Sequence, residues 1–140
     1  MAEIDAILQE LLAATGGSRV TLRQDVPGDV YPVTHEALAD RVSPIKGVET
    51  PDMGRQPVVL EILQGRQVVQ DDCVAASDEP HFREMLELYG GLRAQIVTPV
   101  VRGGRVAAIV SLHQLGRTRH WTDDEIAAAT RAAEQVGGSL

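Results

Sequence analysis

The sequence predicts one α+β domain with a central antiparallel sheet. Its strongest local pattern is residues 94–113, AQIVTPVVRGGRVAAIVSLH, in which two apolar strands are joined by a glycine-bearing turn, as in a β-hairpin. Both faces of these strands are apolar, so we expect the hairpin at the centre of a sheet that is covered on both sides. An amphipathic helix is predicted near each end of the 140-residue chain, which has the length of a single domain, residues 1–140.

The first half of the chain predicts a helix, two strands and a long loop. Apolar residues recur at three- and four-residue spacing over residues 4–12, as on one face of a helix. Residues 18–25 alternate between apolar and polar side chains, and after a Pro-Gly turn residues 31–38 form the returning strand. Residues 39–57 are polar and broken by prolines and glycines, so they predict a long loop of the kind that often covers a site.

The second half predicts two short helices, a short strand, the hairpin and a closing helix. Pro57 suits the first turn of a short helix, and residues 65–72 form a brief strand. Residues 78–80, Asp-Glu-Pro, open another helix. After the hairpin, Thr122 and Glu125 have the spacing of a capping box, which starts the closing helix.

Composition excludes several classes of function. The net charge of −7, with no basic cluster among aromatic residues, argues against a nucleic-acid partner. A single cysteine, Cys73, excludes an internal disulfide. The start, MAEIDAILQELL, lacks the basic region of a signal peptide, and no apolar run approaches the ~20 residues of a membrane span. We therefore expect a cytoplasmic protein that does not associate with membranes.

The element order and its residues resemble a GAF domain, a small-ligand sensor module related in architecture to PAS domains. The resemblance runs from about Ile4 to Val136 and is best in QVVQDD and in LYGGLRAQIVTPVVRGGRVAAIVSLHQLGRTRHWTDDEI. Bacterial GAF domains show the same acidic pair, Leu-Arg-Ala entry, hairpin proline, glycine turn, strand ending near His, and Arg-x-Trp. The resemblance implies a central antiparallel sheet, with the N- and C-terminal helices on one face and a helix-loop layer over a ligand pocket on the other.

The hairpin contributes the first candidate pocket residues. Alternation along residues 105–113 puts Ser111 and His113 on one face, which the resemblance turns toward the pocket. His113 could donate or accept a hydrogen bond to a ligand, or it could bond to a nearby backbone carbonyl at the strand end.

The length of the hairpin turn decides which residues of the preceding strand share that face. A three-residue turn would bring Gln95 and Val97 to the pocket, and a two-residue turn on Gly103-Gly104 would bring Ile96 and Thr98. We take Gln95 as the candidate.

Three further candidates come from the first strand and from the helix opposite. Arg23 lies on the strand face that the resemblance turns inward, where a guanidinium could hold a carboxylate or phosphate through two hydrogen bonds. The alternative is a solvated arginine on an edge strand. Tyr89 and Met85 could line the pocket from the helix side, or they could simply belong to the core.

A comparison with phytochrome-like GAF domains concerns His81 and the attachment of a chromophore. His81 corresponds to the histidine that follows their chromophore-bearing cysteine, but Pro80 stands at the position of that cysteine. A thioether to a bilin cannot form there, and Cys73 lies upstream of the helix. We expect no cofactor, although non-covalent haem or bilin binding stays open. We also expect no metal, since the histidines lack the spacing of a metal site.

Catalysis by acid–base chemistry is the first alternative function. In this interpretation His113 or His35 acts with Asp72 on a small polar substrate. The adjacent pair Asp71 and Asp72 more commonly caps the turn that follows it.

The leading hypothesis is a non-enzymatic sensor that binds an unidentified small ligand, for which an anion fits the arginine. Its predicted ligand-binding residues are Arg23, His35, Asp72, His81, Tyr89, Gln95, Ser111 and His113. The resemblance implies that the terminal helices form a homodimer and pass the signal to a second copy or to a partner. The second alternative is a dimerisation module whose pocket is filled by its own side chains.

Overall fold

The computed structural model describes residues 2–140, which form a five-stranded antiparallel sheet with helices on both faces. The strand order is β2-β1-β5-β4-β3. The elements, in chain order, are α1 (Ala2–Thr15), β1 (Arg19–Gln24), β2 (Val33–Leu38), a 3-10 turn (Met53–Arg55), α2 (Pro57–Leu63), β3 (Val68–Gln70), α3 (Cys73–Ala76), α4 (Pro80–Leu88), β4 (Leu92–Arg102), β5 (Arg105–Leu115) and α5 (Asp123–Ser139).

The terminal helices α1 and α5 pack on one face of the sheet. Their apolar stripes meet each other and the sheet in one buried cluster, which includes Leu8, Leu112 and Val136. Burial of a leucine of this kind contributes about 1.5–3 kcal/mol. The prediction that the N- and C-terminal helices lie on one face of the sheet is therefore confirmed. Within residues 2–140, none of the helices has the length and apolar character that a bilayer crossing needs.

The opposite face is covered by α2, α3, α4 and the 39–56 connection, which we call the middle layer. Phe82 anchors α4 to this layer in a buried cluster with Val33, Ile45 and Leu92. The predicted fold class, an α+β sheet with terminal helices on one face and a helix-loop layer on the other, is thus what the chain adopts.

The hairpin turn has two residues, yet the strand register is the one expected for a three-residue turn. Gly103 and Gly104 have φ values of 58° and 76°, as a type I′ turn requires. A bulge then places an extra residue, Ala107, on β5, because Val101 pairs with Val106 while Val100 pairs with Ala108. The bulge shifts the register by one, so Gln95 lies opposite His113 and Val97 opposite Ser111.

Two details differ from the sequence prediction. Cys73 lies upstream of α4, as predicted, but it begins α3, a four-residue helix that the sequence analysis did not predict because so short a helix leaves no periodic pattern. The returning strand begins at Val33 instead of residue 31. The predicted capping box is confirmed, since the Thr122 hydroxyl accepts from the Glu125 N–H (3.2 Å) and the Glu125 carboxylate accepts from the Thr122 N–H (3.0 Å).

Candidate functional site

A small cavity of about 40 Å³ lies between the sheet and the middle layer. Five of the predicted site residues line it: Arg23, Tyr89, Gln95, Ser111 and His113. Most of its remaining wall consists of apolar side chains from α2, α4 and the strands, among them Met85. The volume is close to that of one water molecule, so the cavity is nearly filled by the protein's own side chains.

Arg23 reaches this cavity because β1 is an interior strand. Alternation along β1 puts Val20 and Leu22 against the terminal helices and turns Arg19 and Arg23 toward the middle layer. With β2 on one side and β5 on the other, only 7% of Arg23 is exposed, so it is not the solvated edge arginine of the alternative interpretation. Its guanidinium donates to the Tyr31 carbonyl (2.9 Å) and to the Tyr89 hydroxyl.

Arg19 is a second buried guanidinium, which the sequence analysis missed. It is 1% exposed and donates to the Tyr89 carbonyl (3.1 Å), the Ser43 carbonyl (2.9 Å) and His113 Nδ1 (3.1 Å). Among residues 2–140, no carboxylate lies within 4.0 Å of the Arg19 or Arg23 guanidinium. Burial lowers the pKa of Arg19, and Glu36 opposes that effect from a longer distance. Two positive charges therefore lie in this layer without a direct counter-ion.

The hydrogen bond from Arg19 decides what His113 can do. Arginine only donates, so Nδ1 of His113 is the acceptor and the neutral ring carries its proton on Nε2. Burial, with the positive charges of Arg19 and Arg23, holds the pKa of His113 well below its ordinary range. His113 is also stacked on Tyr89, with 5.9 Å between ring centroids. His113 is therefore a neutral donor to the cavity at physiological pH and is not a cation.

The lowered pKa of His113 predicts how stability depends on pH. Below pH ~6.5 the unfolded chain binds a proton that the folded chain does not, so stability falls as the pH falls. Between pH ~6.5 and ~5.5 we expect the wild type to lose about 1 kcal/mol more unfolding free energy than a His113→Gln variant. Urea unfolding across this interval measures it, with His120→Gln at an exposed histidine as the control. If the unfolding free energies of the wild type and of His113→Gln changed equally with pH, the lowered pKa of His113 would be contradicted.

A larger open groove, the outer groove, adjoins the cavity. It has a volume of about 760 Å³ and is bordered by residues 29–33, residues 47–54 and the outward face of α4. Arg23 and Met53 line both the groove and the cavity. The Tyr89 hydroxyl bonds to Arg23 on one side and to the Thr50 hydroxyl on the other. This chain of hydrogen bonds ties the loop to the sheet, and with Met53 it separates the groove from the cavity.

Three predicted site residues do not reach the cavity. His35 lies opposite Leu22 on the strand face that packs against the terminal helices, because a bulge between Leu22 and Arg23 changes the register. Asp72 is exposed and caps α3 by accepting from the Ala75 N–H (3.2 Å). His81 is exposed on the first turn of α4, with its Nδ1 3.4 Å from Glu79 and 3.8 Å from Asp52.

The acid–base arrangement of the enzyme interpretation is therefore not formed. His35 and His113 lie on opposite faces of the sheet, and the carboxylate of Asp72 is engaged in a helix cap outside the cavity. Among residues 2–140, no group of three or more His, Cys, Asp or Glu side chains is arranged to hold a metal ion.

Cys73 is a buried structural thiol. It is fully buried, and burial beside Asp72 raises its pKa to about 12. At pH ~8 we expect the native thiol to react with a thiol reagent at least ~10²-fold more slowly than the urea-unfolded chain, because a thiolate is needed. A Cys73→Ser variant gives the background, and equal rates in the native and unfolded states would contradict the burial.

An arginine joins the strand that carries His113 to both terminal helices. Arg119 donates to the side-chain oxygen of Gln114 (3.0 Å), the residue after His113. It also donates to the Thr15 carbonyl at the end of α1 and to the Glu125 carboxylate in the first turn of α5. The guanidinium lies 4.5 Å from the ring centre of Trp121. This segment is a structural joint, and it gives the pocket strand a direct contact with the terminal helices.

This sheet order, with terminal helices on one face and a cavity under a helix-loop layer on the other, is the α+β architecture of GAF domains. The GAF domain family model matches residues 2–140, and the chain belongs to the GAF domain family. A search of curated protein sequences found no significant match.

Several solved structures share the fold. GAF3 of Slr1393 from Synechocystis sp. PCC6803, in its photoproduct state, has 22% identity and a TM-score of 0.80, over 97% of this chain and 89% of that chain. The TePixJ GAF domain, a cyanobacteriochrome, has 20% identity and a TM-score of 0.83, over 97% and 85%. The blue-light absorbing form of the Thermosynechococcus elongatus PixJ GAF domain has 21% identity and a TM-score of 0.75, over 99% and 87%. At these identities the likeness establishes the fold alone.

The residues of this chain do not fit a covalently attached bilin. Pro80, which the sequence resemblance aligns with the chromophore-bearing cysteine of phytochrome-like domains, occupies the first position of α4, and Cys73 is buried with a raised pKa. The 40 Å³ cavity is also far below the ~300–1,000 Å³ that small-molecule sites enclose, and a tetrapyrrole would need the middle layer to move.

Proposed function

We propose that this chain is a ligand-binding sensor module that takes a small anionic ligand at Arg23, between the sheet and the middle layer. The observation that carries the proposal is the pair of buried guanidiniums, Arg19 and Arg23, with no carboxylate within 4.0 Å among residues 2–140. Burying a charge without a counter-ion is costly, and an arriving carboxylate or phosphate would reduce that cost.

The donors around the cavity support an anion in particular. Arg23 presents a forked guanidinium, and the neutral His113 presents Nε2–H. Ser111 and the side-chain amide of Gln95 lie on the same wall, although the Gln95 amide donates to Gln70 (2.9 Å) in this structure. Groups that donate hydrogen bonds outnumber charged acceptors here, which matches an oxyanion.

Binding would couple to movement of the loop. The 40 Å³ cavity holds no more than about one water molecule, so the ligand must displace the Thr50 hydroxyl and the Met53 side chain to join the cavity to the outer groove. The ligand would replace the Tyr89 hydroxyl as the partner of Arg23 and shift the population toward an open loop.

The conformational change caused by the ligand would be passed through the terminal helices to a second copy of the chain or to another partner. Arg119 provides the contact, since it bonds to Gln114 on the pocket strand and to both helix ends. We include homodimerisation through α1 and α5 in the proposal. Their large apolar side chains are buried in the domain's own core, so the dimer contact would consist of small and polar side chains such as Ala13 and Ala14.

Thermal unfolding with a panel of anions tests the proposal. Acetate, benzoate, hexanoate and inorganic phosphate are added at constant ionic strength. A binder present at about 100 times its Kd is expected to stabilise the chain by about 2.7 kcal/mol. Arg23→Gln should abolish that gain and Arg23→Lys should reduce it, each measured against its own ligand-free value. Arg93→Gln, at a part-exposed arginine outside the cavity, should keep it. A gain that persists in Arg23→Gln would contradict the site.

The near-filled cavity favours one second candidate, a dimerisation module without a ligand. In that case no member of a broad anion panel stabilises the chain, while sedimentation equilibrium shows a dimer in the absence of any ligand. A sensor instead gains stability by mass action, so the anion panel distinguishes the two functions, while a ligand-free dimer is expected from both.

A further inference from the structure

We propose that the ligand is dipolar, with an anionic end at Arg23, an apolar middle along the outer groove and a cationic end at the carboxylates of the groove rim. The inference rests on the proposed anion site and specifies its ligand class. It follows from the opposite charges at the two ends of the groove. The buried end of the groove is positive, and its mouth is negative.

The negative mouth is formed by four carboxylates. Asp29, Glu49, Asp52 and Glu84 line the outer groove, and among residues 2–140 Arg23 is the only lysine or arginine that does. Within residues 2–140, Glu49 and Glu84 make no ion pair or side-chain hydrogen bond, so their charges are free to meet a ligand. A simple anion that approaches Arg23 would pass between these like charges, which disfavours it.

The positive charge at the buried end of the groove is an observation separate from the carboxylates. Arg23 is more than nine-tenths buried, has no carboxylate within 4.0 Å among residues 2–140, and lines both the groove and the inner cavity. A simple cation would meet this guanidinium at the end of the groove. Only a molecule that carries both charges is complementary at both ends.

Part of the groove wall is apolar and open to solvent. Val30, Val48 and Leu88 are among the large hydrophobic side chains most exposed in residues 2–140, at 47%, 37% and 46%, and all three line this groove. Glu84 and Leu88 are four residues apart on α4 and so lie on the same face. The groove volume of about 760 Å³ falls in the usual range of small-molecule sites.

A series of α,ω-amino acids of increasing chain length tests the inference by calorimetric titration of the full chain. Each compound is compared with the unsubstituted carboxylate and the alkylamine of the same length. At the best length we expect the amino acid to bind about tenfold more tightly than the carboxylate, which corresponds to one added ion pair. The double variant Glu49→Gln/Glu84→Gln should remove most of that preference and leave binding of the plain carboxylate no weaker. Glu87→Gln, on the outer side of the same helix, should change neither.

Each of the other possible outcomes overturns one stated part of the proposal. Carboxylates that bind at least as tightly as the amino acids at every length would overturn the dipolar ligand and leave the anion site standing. Amines that bind as well as amino acids, without any effect of Arg23→Gln, would make the groove a cation site and overturn the inference. Absence of binding by all three series, together with no anion-dependent stabilisation, would overturn the proposed function as well.

Discussion

Replacing Phe82 with alanine is expected to lower the free energy of unfolding by about 3–5 kcal/mol, the usual cost of truncating a fully buried phenylalanine. Phe82 has no exposed surface and packs with Val33, Ile45 and Leu92, so it joins α4 to the sheet and to the 39–56 connection. The cost combines the lost transfer free energy with the cavity that the neighbours cannot fill.

Urea unfolding of Phe82→Ala measures this effect, and Leu88→Ala is the matched control. Leu88 lies on the same helix but is 46% exposed, so its truncation should cost less than ~1 kcal/mol. A cost below about 1.5 kcal/mol for Phe82→Ala would mean that the middle layer is not packed on the sheet as described.

Replacing Arg19 with methionine is expected to cost about 3 kcal/mol of unfolding free energy. The variant leaves two buried acceptors without their donor, the Tyr89 carbonyl and His113 Nδ1, and it also removes the donor to the carbonyl of the exposed Ser43. Each buried acceptor left unpaired costs ~1–3 kcal/mol, whereas water can replace the donor at Ser43, and relief from burying the guanidinium offsets part of the sum. Arg93→Met, which removes a part-exposed pair with Glu87, should cost less than ~1 kcal/mol.

The same variant should also raise the pKa of His113. Loss of a positive charge and of the N–H that occupies Nδ1 both favour protonation, while burial keeps the pKa below its ordinary range. The histidine ring signals in NMR report this directly. An Arg19→Met chain that is as stable as the wild type would show that the buried charge costs as much as its hydrogen bonds contribute.

Much of the fold was predictable because its signals are local. Each of three elements is signalled by residues close together in the sequence. These elements are the hairpin with its glycine turn, the helix capped at Thr122 and the helix that begins at Pro80. The bulge at Ala107 was not predictable, since it depends on how β5 meets its neighbours. Because the hairpin turn has only two residues, Gln95 reaches the cavity only through the register shift that this bulge produces.

The candidate site was less predictable, because the burial of a side chain depends on the whole fold and not on its neighbours in the sequence. Alternation puts Arg19 and Arg23 on the same face, but only the strand order shows that β1 is interior and that both side chains are buried. His35 was wrongly grouped with the pocket because the bulge between Leu22 and Arg23 is invisible in the sequence. Asp72 keeps the capping role that was the alternative interpretation.

The central claim is that an anion at Arg23 releases the loop that Tyr89 and Thr50 hold against the sheet. Nuclear magnetic resonance titration of the chain with the best anion from the panel tests it most directly. We expect saturable shifts in the Arg23 side chain and in residues 47–54, which are lost in Arg23→Gln, whereas Arg93→Gln should show the same shifts as the wild type. Shifts that leave residues 47–54 unchanged, or that persist in Arg23→Gln, would contradict it.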